Sequence, residues 1–203
     1  MRTIGALVFP DFEVLDLYGP LEMFGMFEDE FDIRIVAETS APVRSAQGPR
    51  TAPDDLFGER EYDILVIPGG RGTRRDVANP VLIDWLARAH ESAELTTSIC
   101  TGSALLAKAG LLDGKAATTN KLAFDWVAEF GPRTEWRRSA RWVEDGDIFT
   151  ASGVSAGTDM ALAVLERLLG PKAPIRAAFY AEYTANRDPS NDPFAISPKK
   201  LKP

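Results

Sequence analysis

An α/β fold with a mostly parallel central sheet is the fold class this sequence predicts, on three observations. Short apolar runs alternate with stretches of helical period along the 203 residues, the pattern of strand, crossover and strand. The run at 63–68, Asp-Ile-Leu-Val-Ile-Pro, is continuously apolar in its middle, as in a strand covered on both faces. Apolar residues make up 45% and charged residues 26% of the chain, enough to build a core and suited to one domain spanning 1–203.

The elements follow in order. A first strand is expected at 3–9, then a helical region at 14–27, bent or started near Pro20 because proline brings no N–H. A second strand is expected at 31–37. Gly48-Pro49, inside 43–56, marks a hairpin or short excursion. The strand at 63–68 runs into Gly69-Gly70, where the backbone can turn tightly or approach a ligand. Asn79-Pro80 couples an N-cap residue to proline at the first helical position, so a helix runs from there to about residue 91. A strand at 95–99 leads into a helix at 101–109, stopped by Gly110. A further helix is expected at 121–130, ended by Gly131-Pro132. Asp145-Gly146, between 140–143 and 147–150, signals a hairpin. The helix at 158–169 has Ala161, Val164, Leu165, Leu168 and Leu169 at helical spacing, and one at 174–185 repeats that logic with Ile175, Phe179 and Tyr183. Residues 186–203, with four prolines, read as an irregular C-terminal arm on the surface or against a partner subunit.

Composition narrows the function. With 23 Lys and Arg against 30 Asp and Glu, the net charge is −7, which argues against nucleic acid as a partner. One cysteine, Cys100, excludes an intramolecular disulfide, and one histidine, His90, excludes a His-rich or Cys₂His₂ metal site. No run is long enough to span a membrane, and the opening residues lack the form of a signal peptide. The expectation is a cytoplasmic protein acting on a small molecule, with no metal and no membrane partner.

The strongest chemical signal is Ser98-Ile99-Cys100-Thr101-Gly102-Ser103. A strand ends at Cys100 and a helix begins at once, the context of a nucleophile elbow, although Ser98 stands where the G-x-S-x-G form has its first glycine. A helix start presents unpaired N–H groups and partial positive charge, which favour thiolate over thiol. A buried structural cysteine is the alternative. His90 ends the helix before the nucleophile's strand. It is therefore expected at that strand's far edge, about 15–20 Å from Cys100 at ~3.3 Å per residue, as a surface residue that forms no Cys–His dyad.

Carboxylates remain. Ligands of open α/β sheets bind beyond the carboxyl ends of the strands, where three segments meet: 13–20, 68–70 and the turn at Cys100. Asp16, between Leu15 and Leu17, is expected to be desolvated, with a raised pKa that lets it donate a proton near neutral pH, or else to cap a helix. The amides of Gly69, Gly70 and Thr101 form either an anion-stabilising pocket or a plain turn. The basic run 71–75 reads as a solvated loop rather than a substrate anchor. Ser155, in a small-residue turn before a helix, either lines the pocket or caps the helix.

Four blocks, LDLYGP at 15–20, DILVIPGG at 63–70, SICTGSALLAKAGLLDGKAATTN at 98–120 and SGVSAGTDMAL at 152–162, resemble the ThiJ/PfpI superfamily over nearly the whole chain. Within it the Cys-Thr-Gly form and the aspartate of LDLYGP look most like the isonitrile hydratase branch. The resemblance implies a flavodoxin-like three-layer sandwich shared with class I glutamine amidotransferases, a homodimer, Cys100 as nucleophile and Asp16 as proton carrier. Members labelled as proteases carry His directly after Cys, where this chain has Thr101. The hydratase-like branch often has His after the Thr-Thr pair, where this chain has Asn120-Lys121. The implied activity is a cofactor-independent lyase that hydrates an isonitrile to an N-substituted formamide. Alternatives are a glyoxalase or deglycase acting on 2-oxoaldehydes, and a redox or ligand sensor that uses Cys100 without turnover. A regulator's sensor half is disfavoured by chain length.

Overall fold

A computed structural model describes residues 1–195 of the protein. In chain order the elements are β1 (Arg2–Leu7), α1 (Val14–Gly25), β2 (Phe31–Ala37), β3 (Val43–Arg44), β4 (Arg50–Thr51), β5 (Asp55–Leu56), β6 (Ile64–Ile67), α2 (Thr73–Asp76) and α3 (Pro80–Ser92). There follow β7 (Leu95–Ile99), α4 (Gly102–Lys108), β8 (Ala116–Ala117), α5 (Phe124–Ala128), β9 (Glu135–Trp136), β10 (Trp142–Asp145), β11 (Ile148–Ala151), α6 (Ala156–Leu169) and α7 (Lys172–Tyr180).

The central sheet has the order β10-β11-β7-β6-β1-β2-β5 and is parallel except for β10, which runs antiparallel to β11. Every residue of the apolar β6 and of β7, with its Thr96, Thr97 and Ser98, is buried, as strands under helices on both faces must be. The crossover from β1 to β2 steps one way along the sheet and that from β6 to β7 steps the other way. Right-handed connections therefore put their helices on opposite faces, giving three layers. The order reverses between β1 and β6, so the crevice outside their carboxyl ends is the place for a site.

Local chemistry explains most boundaries. Asn79 accepts the Val81 N–H at 3.0 Å and Pro80 opens α3 as expected. Within 43–56, β3 and β4 form a two-stranded hairpin and β5 joins the edge of the central sheet, and β10 and β11 turn at Gly146. The helix α1 continues through Pro20, whose missing N–H leaves the Asp16 carbonyl without its helical partner.

Four expectations need correction. The helix expected at 121–130 is only α5, because the Asn120 carboxamide oxygen accepts the N–H groups of Leu122 and Ala123, both at 3.0 Å, and holds them in a turn. The helix expected at 174–185 is α7, and it packs through Ala173, Pro174 and Ala177. Ile175 and Phe179, the apolar spacing that suggested it, are exposed. His90 does lie at the starting edge of β7, but it is largely buried, with Nδ1 2.9 Å from the Thr96 hydroxyl and Nε2 3.6 Å from Asp147. The arm is no loose surface strand over its described part, 186–195: Arg141 N–H donates to the Pro189 carbonyl at 2.8 Å and Asp192 is buried. Residues 196–203 of the expected arm lie outside the described residues. Among the described residues no helix is long and apolar enough to cross a membrane.

Candidate active site

The chain leaves β7 at Ile99 and turns at Cys100, whose φ of 56° lies in the left-handed region that a non-glycine residue rarely adopts. Hydrogen bonds at both its backbone groups fix that strained turn. The Cys100 N–H donates to the Ser152 carbonyl at 2.7 Å. The Cys100 carbonyl accepts the Thr119 hydroxyl at 2.8 Å and the Ser103 hydroxyl at 3.0 Å. The thiol thus stands at the head of α4 and is 7% exposed, the elbow geometry its sequence context predicted.

Asp16 comes to the same point from the first turn of α1 and is fully buried, without a capping role. Its Oδ2 accepts the Gly69 N–H at 2.9 Å, its Oδ1 has no hydrogen-bond partner, and the Cys100 thiol lies close enough to draw the carboxyl's pKa down. Sulfur and acid therefore share one small volume. Burial pushes the Asp16 carboxyl up to about 8 from its ordinary 3.8, aided by the charge of Glu13 and opposed by the Gly69 N–H and the thiol. Burial also pushes the Cys100 thiol up, and the nearby Asp16 charge adds to this. The N–H groups of Thr101 and Val154 and the Asn120 side chain pull the other way without prevailing. The helix-start environment was expected to favour thiolate outright; in this dry site desolvation wins, and the pair gives up its first proton as a unit.

The two glycines have roles other than an oxyanion pocket. The Gly69 N–H is committed to Asp16, and the Gly70 N–H donates to the Thr101 hydroxyl at 3.0 Å. A Cβ on Gly69 would fall 2.5 Å from the Thr101 nitrogen and 2.9 Å from Asp16 Oδ2, so only glycine admits both groups. Gly70, at φ 124°, turns the chain against Asp11 and Glu13. Of the expected anion donors, only the Thr101 amide points at the sulfur.

Two donors to the sulfur went unassigned from sequence. The Asn120 carboxamide oxygen is tied to Leu122 and Ala123, which leaves its Nδ2 to face Cys100. Val154, at φ 41°, presents its N–H to the sulfur from the turn before α6. The polar residue following the Thr-Thr pair was the available signal. The fixed amide orientation was not, because it depends on Leu122 and Ala123 standing in a turn before the helix begins.

The thiol opens on a cavity of about 270 Å³ lined by Glu13, Arg71, Arg74, Cys100, Asn120 and Val154, among others. The arginines of the basic run are exposed as expected, but the run is no loop, since Thr73 is buried and opens α2, and Arg71 and Arg74 also form the rim. Arg71 pairs with Asp11 at 3.3 Å and Arg74 lies 4.6 Å from the centre of the Trp126 ring. Ser155 does not cap α6. Its hydroxyl accepts Arg141 Nη2 at 3.3 Å, and the residue lines a neighbouring cavity rather than the one at the thiol. Among the described residues no cluster of three or more His, Cys, Asp or Glu side chains is arranged to hold a metal ion.

Comparison with known proteins agrees with this fold. The DJ-1/PfpI family model matches residues 2–167. Isonitrile hydratase from Pseudomonas putida is 34% identical over 168 residues, covering 82% of this chain and 72% of the relative. The glutathione-independent glyoxalase DJR-1.2 of Caenorhabditis elegans is 26% identical over 142 residues, 66% of this chain and 72% of the relative. A crystal structure of a ThiJ/PfpI family protein from Pseudomonas syringae superposes with a TM-score of 0.83 at 34% identity, covering 95% of this chain and 77% of that one.

Proposed function

The chain belongs to the DJ-1/PfpI family, and we propose that within it the protein is a cofactor-independent lyase that hydrates an isonitrile to an N-substituted formamide. The observation that carries this reading is the buried sulfur–carboxyl pair. An isonitrile's terminal carbon must receive a nucleophile and a proton at the same atom, and Cys100 and Asp16 present both to one point. The likeness to isonitrile hydratase supports the choice.

The reactive form is the pair holding one proton. Cys100 sulfur attacks the terminal carbon of R–N≡C as Asp16 delivers its proton there, giving the thioimidate Cys–S–CH=N–R. Asp16, now ionised, takes a proton from water as the oxygen adds to the same carbon. The hydroxyl proton passes to nitrogen, the C–S bond breaks, and R–NH–CHO leaves with thiolate and protonated Asp16 restored. One isonitrile and one water are consumed and no electrons change hands, so the reaction calls for no redox partner. The N–H groups of Thr101 and Val154 and the Asn120 amide hold the sulfur's charge whenever it appears.

A second reading, turnover of 2-oxoaldehydes through a thiohemiacetal, is favoured by the likeness to the glyoxalase. Incubation with benzyl isonitrile and, separately, with methylglyoxal separates the two. Formamide that requires both Cys100 and Asp16 supports the hydratase reading, whereas lactate alone replaces it with the second. No turnover of either, with a readily oxidised Cys100, leaves the sensor. The homodimer and cytoplasmic setting belong to the same proposal, and light scattering on the purified protein tests the first of them.

A further inference from the structure

Beside the catalytic cavity lies another of about 280 Å³, and Asn120, Leu122 and Val154 line both, so the two adjoin. Its far wall is Phe194, from the C-terminal arm. Phe194 and Leu122 are large apolar side chains, yet 63% and 77% exposed, and they flank the same space. The lysine in its lining turns away: Lys121 Nζ donates to the Ala140 carbonyl at 2.5 Å and to the Thr118 hydroxyl at 2.9 Å. What remains is an apolar annex with no committed occupant among the described residues.

The arm is held there by buried charge. Asp192 stands 3.7 Å from Arg141 Nη1 and 3.9 Å from Lys121 Nζ, and it donates its N–H to the Ser139 carbonyl at 2.7 Å. Its Oδ1 accepts the Phe194 N–H at 2.9 Å. Arg141 is in turn fixed by Asp159 at 2.6 Å and by the Ser155 hydroxyl. Burying a guanidinium and two carboxylates is costly unless the set is closed, so a set of this kind marks a position the fold holds firmly. The position it holds is that of Phe194, two residues beyond Asp192.

We propose that this annex is the subsite for the substituent on the isonitrile nitrogen, that the C-terminal arm completes it, and that Phe194 and Leu122 select a flat apolar group, an aryl or arylmethyl isonitrile. The proposal rests on the hydratase reading for the word isonitrile, but the annex itself can be probed without it. Maleimides report on approach to the thiol, and Cys100 is the chain's one cysteine, so every adduct reads this site.

Two measurements on the full chain, compared with Phe194→Ser and Leu122→Ser, decide it. Both residues are exposed, and circular dichroism checks that the variants fold. The first is the ratio of kcat/KM for benzyl over methyl isonitrile. The second is the ratio of Cys100 labelling rates by N-benzylmaleimide over N-methylmaleimide. In each, the wild-type ratio is expected to be well above one and to fall about tenfold in either variant. Labelling ratios equal in wild type and variants overturn the annex, whatever happens to isonitriles. A labelling preference lost in the variants, with no isonitrile turned over, keeps the annex and removes the hydratase reading. Preference for an isonitrile bearing a carboxylate, lost on Arg74→Ala, assigns recognition to the rim and overturns the apolar class.

Discussion

On its inner side the reaction cavity is walled by turns that leave the carboxyl ends of β6 and β7. There each backbone group is already engaged: the Gly69 N–H with Asp16, the Gly70 N–H with Thr101, and the Cys100 carbonyl with Ser103 and Thr119. On its outer side the wall is Leu122, and beyond it Phe194 closes the adjoining cavity, both exposed side chains, one on a turn and one on an arm held from behind by Arg141 and Asp192. The inner wall fixes where atoms react. The outer wall can change without moving them. Substitutions on the first should therefore abolish turnover, and substitutions on the second should redistribute it among substrates.

The largest expected effect comes from the pair itself. Cys100→Ser replaces the sulfur with an oxygen of much higher pKa in a dry site and should lower kcat by roughly 10⁴-fold. Asp16→Asn keeps an acceptor for the Gly69 N–H but carries no transferable proton, and should cost about 10³-fold. Activity retained at a tenth of wild type in either variant would move the chemistry off the inner wall. Gly69→Ala follows. A methyl 2.5 Å from the Thr101 nitrogen must push Asp16 or the Cys100 turn aside, with about a 100-fold loss of kcat measured on benzyl isonitrile. Unchanged kinetics in Gly69→Ala would show that the close packing of acid and sulfur is not needed.

Stability offers a pH test of the same pair. The folded protein holds the Asp16 proton up to about 8, the unfolded chain only to near 4, so the folded state binds the proton more tightly. Its contribution to stability is complete below pH 4 and declines as pH rises to about 8. Asp16→Asn carries no such penalty. It should match wild type near pH 4 and be more stable by about 5 kcal/mol at pH 8, four pH units at about 1.4 kcal/mol each, read from urea unfolding at both values. A variant less stable than wild type at pH 8 would show that the ionised carboxylate is well accommodated and that the pair is not desolvated.

Much of the inner wall was legible in the sequence because its signals are local. A continuous apolar run gives a buried strand, a glycine pair gives a close approach, and a cysteine between strand and helix gives an elbow. Asp16 could be read because two leucines flank it in a stretch that must reach the strand ends. The outer wall could not be read so. Asn120 delays the start of α5 through its own side chain, a choice decided by two hydrogen bonds rather than by apolar period. Ile175 and Phe179 suggested a core face, whereas small Ala173 and Ala177 make the close contact with α6. Arg141, Asp159 and Asp192 lie up to fifty-one positions apart and look like ordinary surface charges until the fold brings them together.

Asn120 stands where the two walls meet, and it sharpens the comparison with the smallest change. Its amide faces the sulfur because its oxygen is occupied by Leu122 and Ala123. Loss of one hydrogen bond to a developing thiolate in Asn120→Ala should lower kcat/KM about tenfold. The pH profile reads the role more directly. The wild-type profile should rise tenfold per pH unit below about 8 and flatten above, as the pair gives up its first proton. Asn120→Asp sets a negative charge beside the sulfur and should carry that limb to higher pH, while Asn120→Ala should lower the plateau with a smaller shift. If both variants leave the limb where it was, Asn120 shapes the turn before α5 and has no electrostatic hold on the thiol.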